Sequence, residues 1–132
     1  MHHLVYTSAA SIALTEADLR RLLERWRATN VRLGVTGVLL YSDGQILQVL
    51  EGDPVPVHAL FATIAADMRH QGVTKLADGP VQGRAFASWS MGFRTVDSRD
   101  FTHLVQRMSP VPTHATALAP LLTAFMESGP WE

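Results

Sequence analysis

Two polar side chains stand out because each lies inside an otherwise apolar predicted strand. Gln48 lies within residues 45–52, QILQVLEG, and Tyr6 lies within residues 4–8, LVYTS. A buried amide without a partner costs about 1–3 kcal/mol, so Gln48 needs a polar group opposite it. A phenol and an amide converging on one pocket, with no nucleophile or metal-ligand set nearby, indicate a bound polar ring rather than a hydrolytic site.

Each residue also has a purely structural interpretation. Tyr6 taken alone fits a core tyrosine whose hydroxyl is satisfied. Gln48 fits a structural hydrogen bond to neighbouring backbone, although glutamine is uncommon at core strand positions.

Four further polar residues are candidates for ligand contacts. Asn30 comes just past the first predicted helix, where asparagine also fits a left-handed C-terminal cap. Asp67, Arg69 and His70 end the second predicted helix. Arginine and histidine there suit the helix dipole, and contact with the hydroxyls or phosphates of a ligand is the functional alternative.

Composition and motifs exclude several classes of function. The chain has 132 residues, which fits one domain. Charged residues make up 17% of it and the formal net charge is -1, which argues against a nucleic-acid surface. It has no cysteine, and none of its six histidines is paired at metal-ligand spacing, so we expect no metal site. No Gly-rich dinucleotide or phosphate-loop motif occurs. With no long apolar run and no signal peptide, we expect a cytoplasmic protein without a membrane span.

The elements that must position these residues follow from periodicity. Apolar residues at helical spacing predict a helix over about 16–28. The Asp43-Gly44 turn predicts a hairpin over 35–51, in which Leu39 faces Gln48. Both faces of that hairpin are apolar, so both must be covered.

The second half of the chain is predicted in the same way. Pro54 and Pro56 open a second helix, and Gly72 is its C-terminal stop. Residues 73–82 form a weaker strand candidate. Residues 86–96 alternate clearly, which places Trp89, Met91 and Phe93 on one face of a fifth strand. Two short helices follow, the second over about 118–126.

This order predicts an α+β fold. It is a ferredoxin-like βαββαββ pattern with a five-stranded mixed sheet, two helices on one face and C-terminal helices. The C-terminal helices or a partner subunit would cover the second sheet face.

Five stretches together resemble the BLUF domain, the flavin-binding blue-light sensor module, in the family's order over roughly residues 1–96. They are Leu4–Ser8; Asn30 with Gly34–Tyr41; Leu47–Gly52; Asp67–His70; and Arg84–Phe93. One departure is Thr29, because the family often has histidine or asparagine at the position before the asparagine.

The resemblance implies a flavin held between the two helices above the sheet, as FAD, with FMN as the alternative. Tyr6 would be the electron and proton donor, and Gln48 would lie between that phenol and the ring. Asn30 would anchor the ring edge, and Trp89 and Met91 would relay the change. The resemblance also implies that Asp67, Arg69 and His70 contact the flavin side chain.

The function expected from this resemblance is blue-light reception rather than catalysis. Residues 1–96 would form the photosensor domain, and residues 97–132 a C-terminal helical extension. The partner would be a downstream effector protein in trans, and we expect self-association as a homodimer or higher homo-oligomer. The alternatives are an acylphosphatase-like hydrolase and a flavin-free interaction module. The hydrolase would need an arginine in the first loop and an asparagine where Tyr41 stands.

Overall fold

The computed structural model describes residues 1–10, 16–66, 70–84, 86–87 and 89–108. Within these ranges, eight elements follow one another. They are β1 (His2–Ala10), α1 (Glu16–Leu33), β2 (Thr36–Ser42), β3 (Gln45–Gly52), α2 (Pro54–Ala66), β4 (His70–Pro80), β5 (Gly92–Thr95) and α3 (Ser98–Met108). The predicted helix over 118–126 lies outside the described residues.

The five strands form one mixed sheet in the order β4-β1-β3-β2-β5. β1 pairs antiparallel with both β3 and β4, β2 pairs antiparallel with β3, and β5 runs parallel to β2. The ferredoxin-like prediction with one added strand is therefore confirmed. The two strands that carry Tyr6 and Gln48 are neighbours in the interior of the sheet.

The β2–β3 hairpin has the register that its turn predicts. Asp43 and Gly44 both have positive φ, 46° and 85°, as a type I′ turn requires. Ser42 pairs with Gln45 and Leu39 pairs with Gln48. A shift of one residue would exchange the two faces, so this turn determines which side Gln48 occupies.

Both faces of the sheet are buried, as the doubly apolar hairpin predicts. The face beneath α1 and α2 has a core that includes Leu4, Tyr6, Leu19, Leu23, Leu39, Ile46, Leu50, Val57 and Phe93. The opposite face has a core that includes Val5, Val38, Leu40, Leu47, Val49, Phe86, Phe101 and Leu104. Since Phe101 and Leu104 belong to α3, a helix from the C-terminal part of the chain covers the second face.

The first helix continues beyond the predicted end at residue 28. Gly34, with φ 68°, adopts the left-handed conformation just after Leu33. The Gly34 amide donates to the Val31 carbonyl at 3.3 Å and the Val35 amide donates to the Asn30 carbonyl at 2.9 Å, which is a Schellman cap. The cap interpretation of Asn30 is therefore wrong, because Asn30 lies in the last turn of the helix itself.

Gly72 does not end the second helix. Its φ of 57° lies within β4, where the β1–β4 pairing shifts register between Thr7 and Ala9. Positive φ serves a helix stop and a strand bulge equally well, so the sequence signal was ambiguous. β4 also runs through Gly79 to Pro80, which an edge strand tolerates because its outer side needs no ladder hydrogen bond.

The fifth strand is shorter than predicted. Only Gly92–Thr95 pair with β2, and the preceding residues form a turn in which the Trp89 amide donates to the Phe86 carbonyl at 3.0 Å. None of the helices in the described ranges combines the length and apolar character that a bilayer crossing demands.

The stability of the fold should depend on pH through His3, which is 7% exposed. Burial, with a smaller contribution from His2 and against the opposing effect of Asp78, lowers the pKa of the His3 imidazole from 6.5. The unfolded chain then binds the proton more readily, so stability is complete above that pH and is lost as pH falls below it. The free energy of unfolding, measured with urea, should decrease more between about pH 7 and pH 5 in the wild type than in His3→Gln. Equal decreases in the two proteins would contradict this.

Candidate functional site

Tyr6 and Gln48 face each other across the two interior strands. They are direct partners in the β1–β3 register, so their side chains leave the same face of the sheet. Tyr6 is fully buried and Gln48 is 2% exposed. The Tyr6 hydroxyl donates a hydrogen bond to Gln48 Oε1. The sequence-based prediction that a polar group must lie opposite Gln48 is met by this phenol.

The other end of the Gln48 amide has a much weaker partner. Gln48 Nε2 donates to the Met91 sulfur at 3.5 Å. A thioether is a weak acceptor, whereas a carbonyl or ring nitrogen accepts strongly. The amide is thus firmly held through its oxygen and is able to donate to a better acceptor through its nitrogen.

The surroundings of Tyr6 keep its phenol neutral. Burial raises the pKa of the Tyr6 hydroxyl far above its usual value of 10. Phe61 of α2 contacts the Tyr6 ring edge-on, with ring centroids 5.3 Å apart and an interplanar angle of 61°. Tyr6 therefore carries its proton throughout the ordinary pH range and holds it against an amide oxygen.

Asn30 places an unpaired acceptor above the sheet. It is 1% exposed, and its Nδ2 donates to the Ser90 carbonyl at 2.6 Å. Its Oδ1 is buried and has no hydrogen-bond partner in the described part of the chain. An unsatisfied buried acceptor costs about 1–3 kcal/mol, so this oxygen calls for a donor. An N–H group of a bound ligand would satisfy it.

Arg27 helps to position the site, and the sequence analysis did not identify it. Its Nε donates to the Met91 carbonyl at 2.9 Å. Arg27 and Asn30 are three residues apart on α1 and thus share a helix face, which was the available signal. Together they hold the backbone of residues 90 and 91 against the helix, and so position the sulfur that contacts Gln48.

A polar network anchors the start of the same segment. Glu51 is 2% exposed, and its Oε1 accepts from the Phe86 amide and from Thr36 Oγ1, both at 3.0 Å. Arg84 donates to Thr36 Oγ1 at 2.8 Å and to the Gly34 carbonyl at 2.6 Å. These bonds join the end of α1, β2, β3 and the segment that leads to Met91.

The structure separates Trp89 from Met91, which corrects the prediction that they share one face. Met91 belongs to the core beneath α1 and α2, whereas Trp89 packs with the core on the α3 side. The Trp89 ring stacks on Phe86, with centroids 6.2 Å apart and an interplanar angle of 19°. Of these two residues, Met91 is the one that contacts Gln48. The error came from assuming strand alternation through a segment that turns.

Of the three residues predicted to contact a ligand from the end of the second helix, His70 alone lies within the described residues. Asp67 and Arg69 lie outside the described residues. His70 begins β4 instead of ending a helix. The sequence did not reveal that the fold brings His2, His58 and Asp78 together, three residues of metal-ligating type.

Comparison with known proteins gives a consistent picture. The family described as "BLUF: Sensors of blue-light using FAD" matches residues 1–92. Photoactivated adenylate cyclase subunit alpha of Euglena gracilis is 42% identical over 69 residues, which are 52% of this chain. The chain spans only 7% of the length of that curated relative.

Two solved structures are similar over nearly the whole chain. The dark-state structure of BlrB, a BLUF protein, has a TM-score of 0.72 at 30% identity and covers 95% of this chain and 93% of its own. Klebsiella pneumoniae BlrP1 with FMN and cyclic diGMP has a TM-score of 0.68 at 31% identity, and covers 97% of this chain and 35% of its own.

The buried phenol gives a direct test of the site's geometry. The chain has two tyrosines, so Tyr41→Phe leaves Tyr6 as the sole source of phenolate absorbance. Because the folded pKa is raised, the unfolded chain ionises first, and stability should fall as pH rises above about 10. The near-ultraviolet phenolate band should therefore grow only together with loss of circular dichroism. Reversible ionisation in the folded protein near pH 10 would contradict the burial of Tyr6.

Proposed function

Because this chain belongs to the BLUF family, whose members sense blue light using FAD, we propose that Tyr6 and Gln48 are its light-responsive pair. The observation that carries the proposal is the hydrogen bond from the buried Tyr6 hydroxyl to Gln48 Oε1. The chain is a photoreceptor module and not an enzyme. The acylphosphatase alternative has no support in the family match.

The donors and acceptors left open around this pair fit an isoalloxazine ring. In its oxidised form the ring has one N–H donor, at N3, and several carbonyl and ring-nitrogen acceptors. The unpaired Asn30 Oδ1 is a match for that donor. Gln48 Nε2, now bonded only to a thioether in the described structure, is a match for one of the acceptors. A flavin-free interaction module would leave the Asn30 oxygen unsatisfied, which disfavours that alternative.

When bound, the flavin supplies absorption of blue light and an excited state that accepts an electron from a phenol. An oxidised phenol is a far stronger acid than a neutral one. The Tyr6 proton therefore has a ready path to Gln48 Oε1 along the hydrogen bond that already joins them. Burial of both groups excludes water that would otherwise take the proton.

Gln48 then has two ways to rearrange. The amide can rotate, which turns Nε2 toward the Tyr6 oxygen, or it can keep the proton on Oε1 and become the imidic acid, in which case Nε2 would give up a proton to the acceptor that a bound ring places opposite it. Either change alters the contact between Nε2 and the Met91 sulfur. Two hydrogen-bond arrangements of one amide form the bistable element that a light signal requires.

The output route that the contacts favour runs from Met91 through β5 to α3. Met91 immediately precedes β5, and the Val96 amide after β5 donates to the Tyr41 carbonyl at 2.9 Å. Asp97 caps α3, since its carboxylate accepts from the Asp100 amide at 2.8 Å. We place the boundary between the sensor domain, residues 1–96, and the extension from residue 97 at this cap.

The exposed face of α3 is the surface through which we expect the signal to leave the domain. It presents Arg99, Asp100, Thr102 and His103 to solvent, whereas Phe101 is packed against the sheet. An effector protein in trans, or a second copy of this chain in a homo-oligomer, would bind there. FAD is the cofactor of the family, and the BlrP1 structure with FMN keeps FMN as the alternative for this pocket.

Removing either member of the pair should abolish the light response without removing the flavin. Tyr6→Phe deletes the proton donor, and Gln48→Leu deletes the amide that rearranges. In both we expect a yellow protein whose light-minus-dark spectrum lacks the reversible red shift of the wild type. Tyr41→Phe and Gln45→Leu are matched controls that should keep it, since Gln45 is exposed at the start of β3. A normal red shift in either pocket variant would refute the assignment.

Asn30 should matter for binding rather than for the photochemistry. Replacing it with leucine removes the acceptor proposed for N3–H, at a cost of about 1–3 kcal/mol, or roughly 5- to 150-fold in flavin affinity. Fluorescence titration of flavin into the apoprotein measures this loss. Val31→Ala is the control, because Val31 is 70% exposed on the same helix. Unchanged affinity in Asn30→Leu would show that the ring does not engage this oxygen.

A further inference from the structure

Three side chains that are far apart in the sequence meet at the end of the sheet where β1 begins. His2 Nε2 lies 2.5 Å and His58 Nε2 lies 2.8 Å from the same Asp78 carboxylate oxygen, Oδ1. The two imidazole rings are 4.7 Å apart at 62°. The ligand atoms of all three residues lie within 4.8 Å of one another.

This cluster is separate from the flavin site. His2 is four positions before Tyr6 on β1, which is about 13 Å along a strand. His58 lies in the first half of α2, and Asp78 lies near the end of the edge strand β4. None of the three contributes to the contacts of Tyr6, Gln48 or Asn30 described above.

Two imidazoles and one carboxylate make a ligand set that zinc prefers. Three protein ligands leave a fourth tetrahedral position for water or another small ligand. With metal–ligand distances of about 2.0–2.1 Å, tetrahedral geometry separates ligand atoms by about 3.3 Å. Each of the two imidazole–carboxylate contacts would thus need to lengthen by less than 1 Å. His58 is half-exposed on its helix, so it has room to make that adjustment.

The second oxygen of the carboxylate is already oriented. Lys75 Nζ donates to Asp78 Oδ2 at 3.0 Å, which leaves Oδ1 directed at the two imidazoles. Partners of this kind orient metal-binding carboxylates in many sites. The ammonium also repels a cation, so Lys75 sets the affinity in two opposing ways. Because Lys75 is itself half-exposed, we expect the repulsion to dominate its effect.

We propose that His2, His58 and Asp78 form a binding site for a divalent transition-metal ion, with Zn²⁺ as the best match. The imidazole ligands disfavour Mg²⁺ and Ca²⁺, which prefer oxygen-only sites. The bound ion would join β1, α2 and the edge strand β4 through side chains. It would thereby cross-link the edge strand to its neighbours at this end of the sheet.

The test is calorimetric titration of Zn²⁺ into the flavin-loaded protein in the dark, with any affinity tag at the C-terminus. We expect one ion per chain with a dissociation constant in the micromolar range or tighter. His58→Gln and Asp78→Asn should each weaken binding at least about tenfold. His103→Gln and Asp100→Asn are matched controls on the exposed face of α3 and should bind as the wild type does.

Two further measurements make the proposal specific. Lys75→Gln should strengthen Zn²⁺ binding several-fold, whereas it would have no effect on an ion bound elsewhere. Zn²⁺ should raise the unfolding temperature of the wild type but not of His58→Gln. Absence of one-to-one binding, or full retention of it in both His58→Gln and Asp78→Asn, would overturn the proposal. The light-minus-dark spectrum, recorded on the same samples, reports separately on the flavin site.

Discussion

The pairing of β1 with β3 is the constraint on which the whole site depends. It sets Tyr6 directly opposite Gln48, and with both side chains buried neither has water as a substitute partner. A shift of one residue in either strand would send one of them to the α3 side of the sheet. The Asp43-Gly44 turn fixes the register of β3 against β2, and the apolar cores on both faces disfavour a slip of β1 along β3.

The first helix completes what the sheet begins. Its Schellman cap at Gly34 lets the helical conformation continue through Asn30, whose side chain is then directed inward. One turn earlier, Arg27 holds the carbonyl of Met91. The helix thus supplies an acceptor for a ligand and also fixes the backbone next to the Gln48 amide. A rearrangement of the Gln48 amide would therefore alter contacts of the same few residues that would hold the cofactor.

Local sequence signals predicted the parts of this protein that local physics determines. The hairpin register followed from one turn, and the two buried faces followed from apolar residues on both sides of β2 and β3. Glycine was less informative, because positive φ ends a helix at Gly34 but makes a bulge at Gly72. The large apolar residues before β5 suited a strand and a turn equally. The pocket pair could be inferred from polarity, but the contacts of Arg27 and the meeting of His2 with His58 depend on tertiary packing.

A Cβ atom at position 92 would overlap the Trp89 ring, so the close packing of that ring against the backbone requires glycine there. Trp89 and Met91 therefore point to opposite sides of a tightly packed backbone and cannot trade places by rotating side chains. An exchange would require the chain to slide, and would break the bonds from Gly37 to Trp89, from Asn30 to Ser90 and from Arg27 to Met91. Collective motions of this kind take microseconds to milliseconds or longer, whereas exposed side chains reorient within nanoseconds. Any displacement of this segment would therefore reverse far more slowly than a side-chain rotation does.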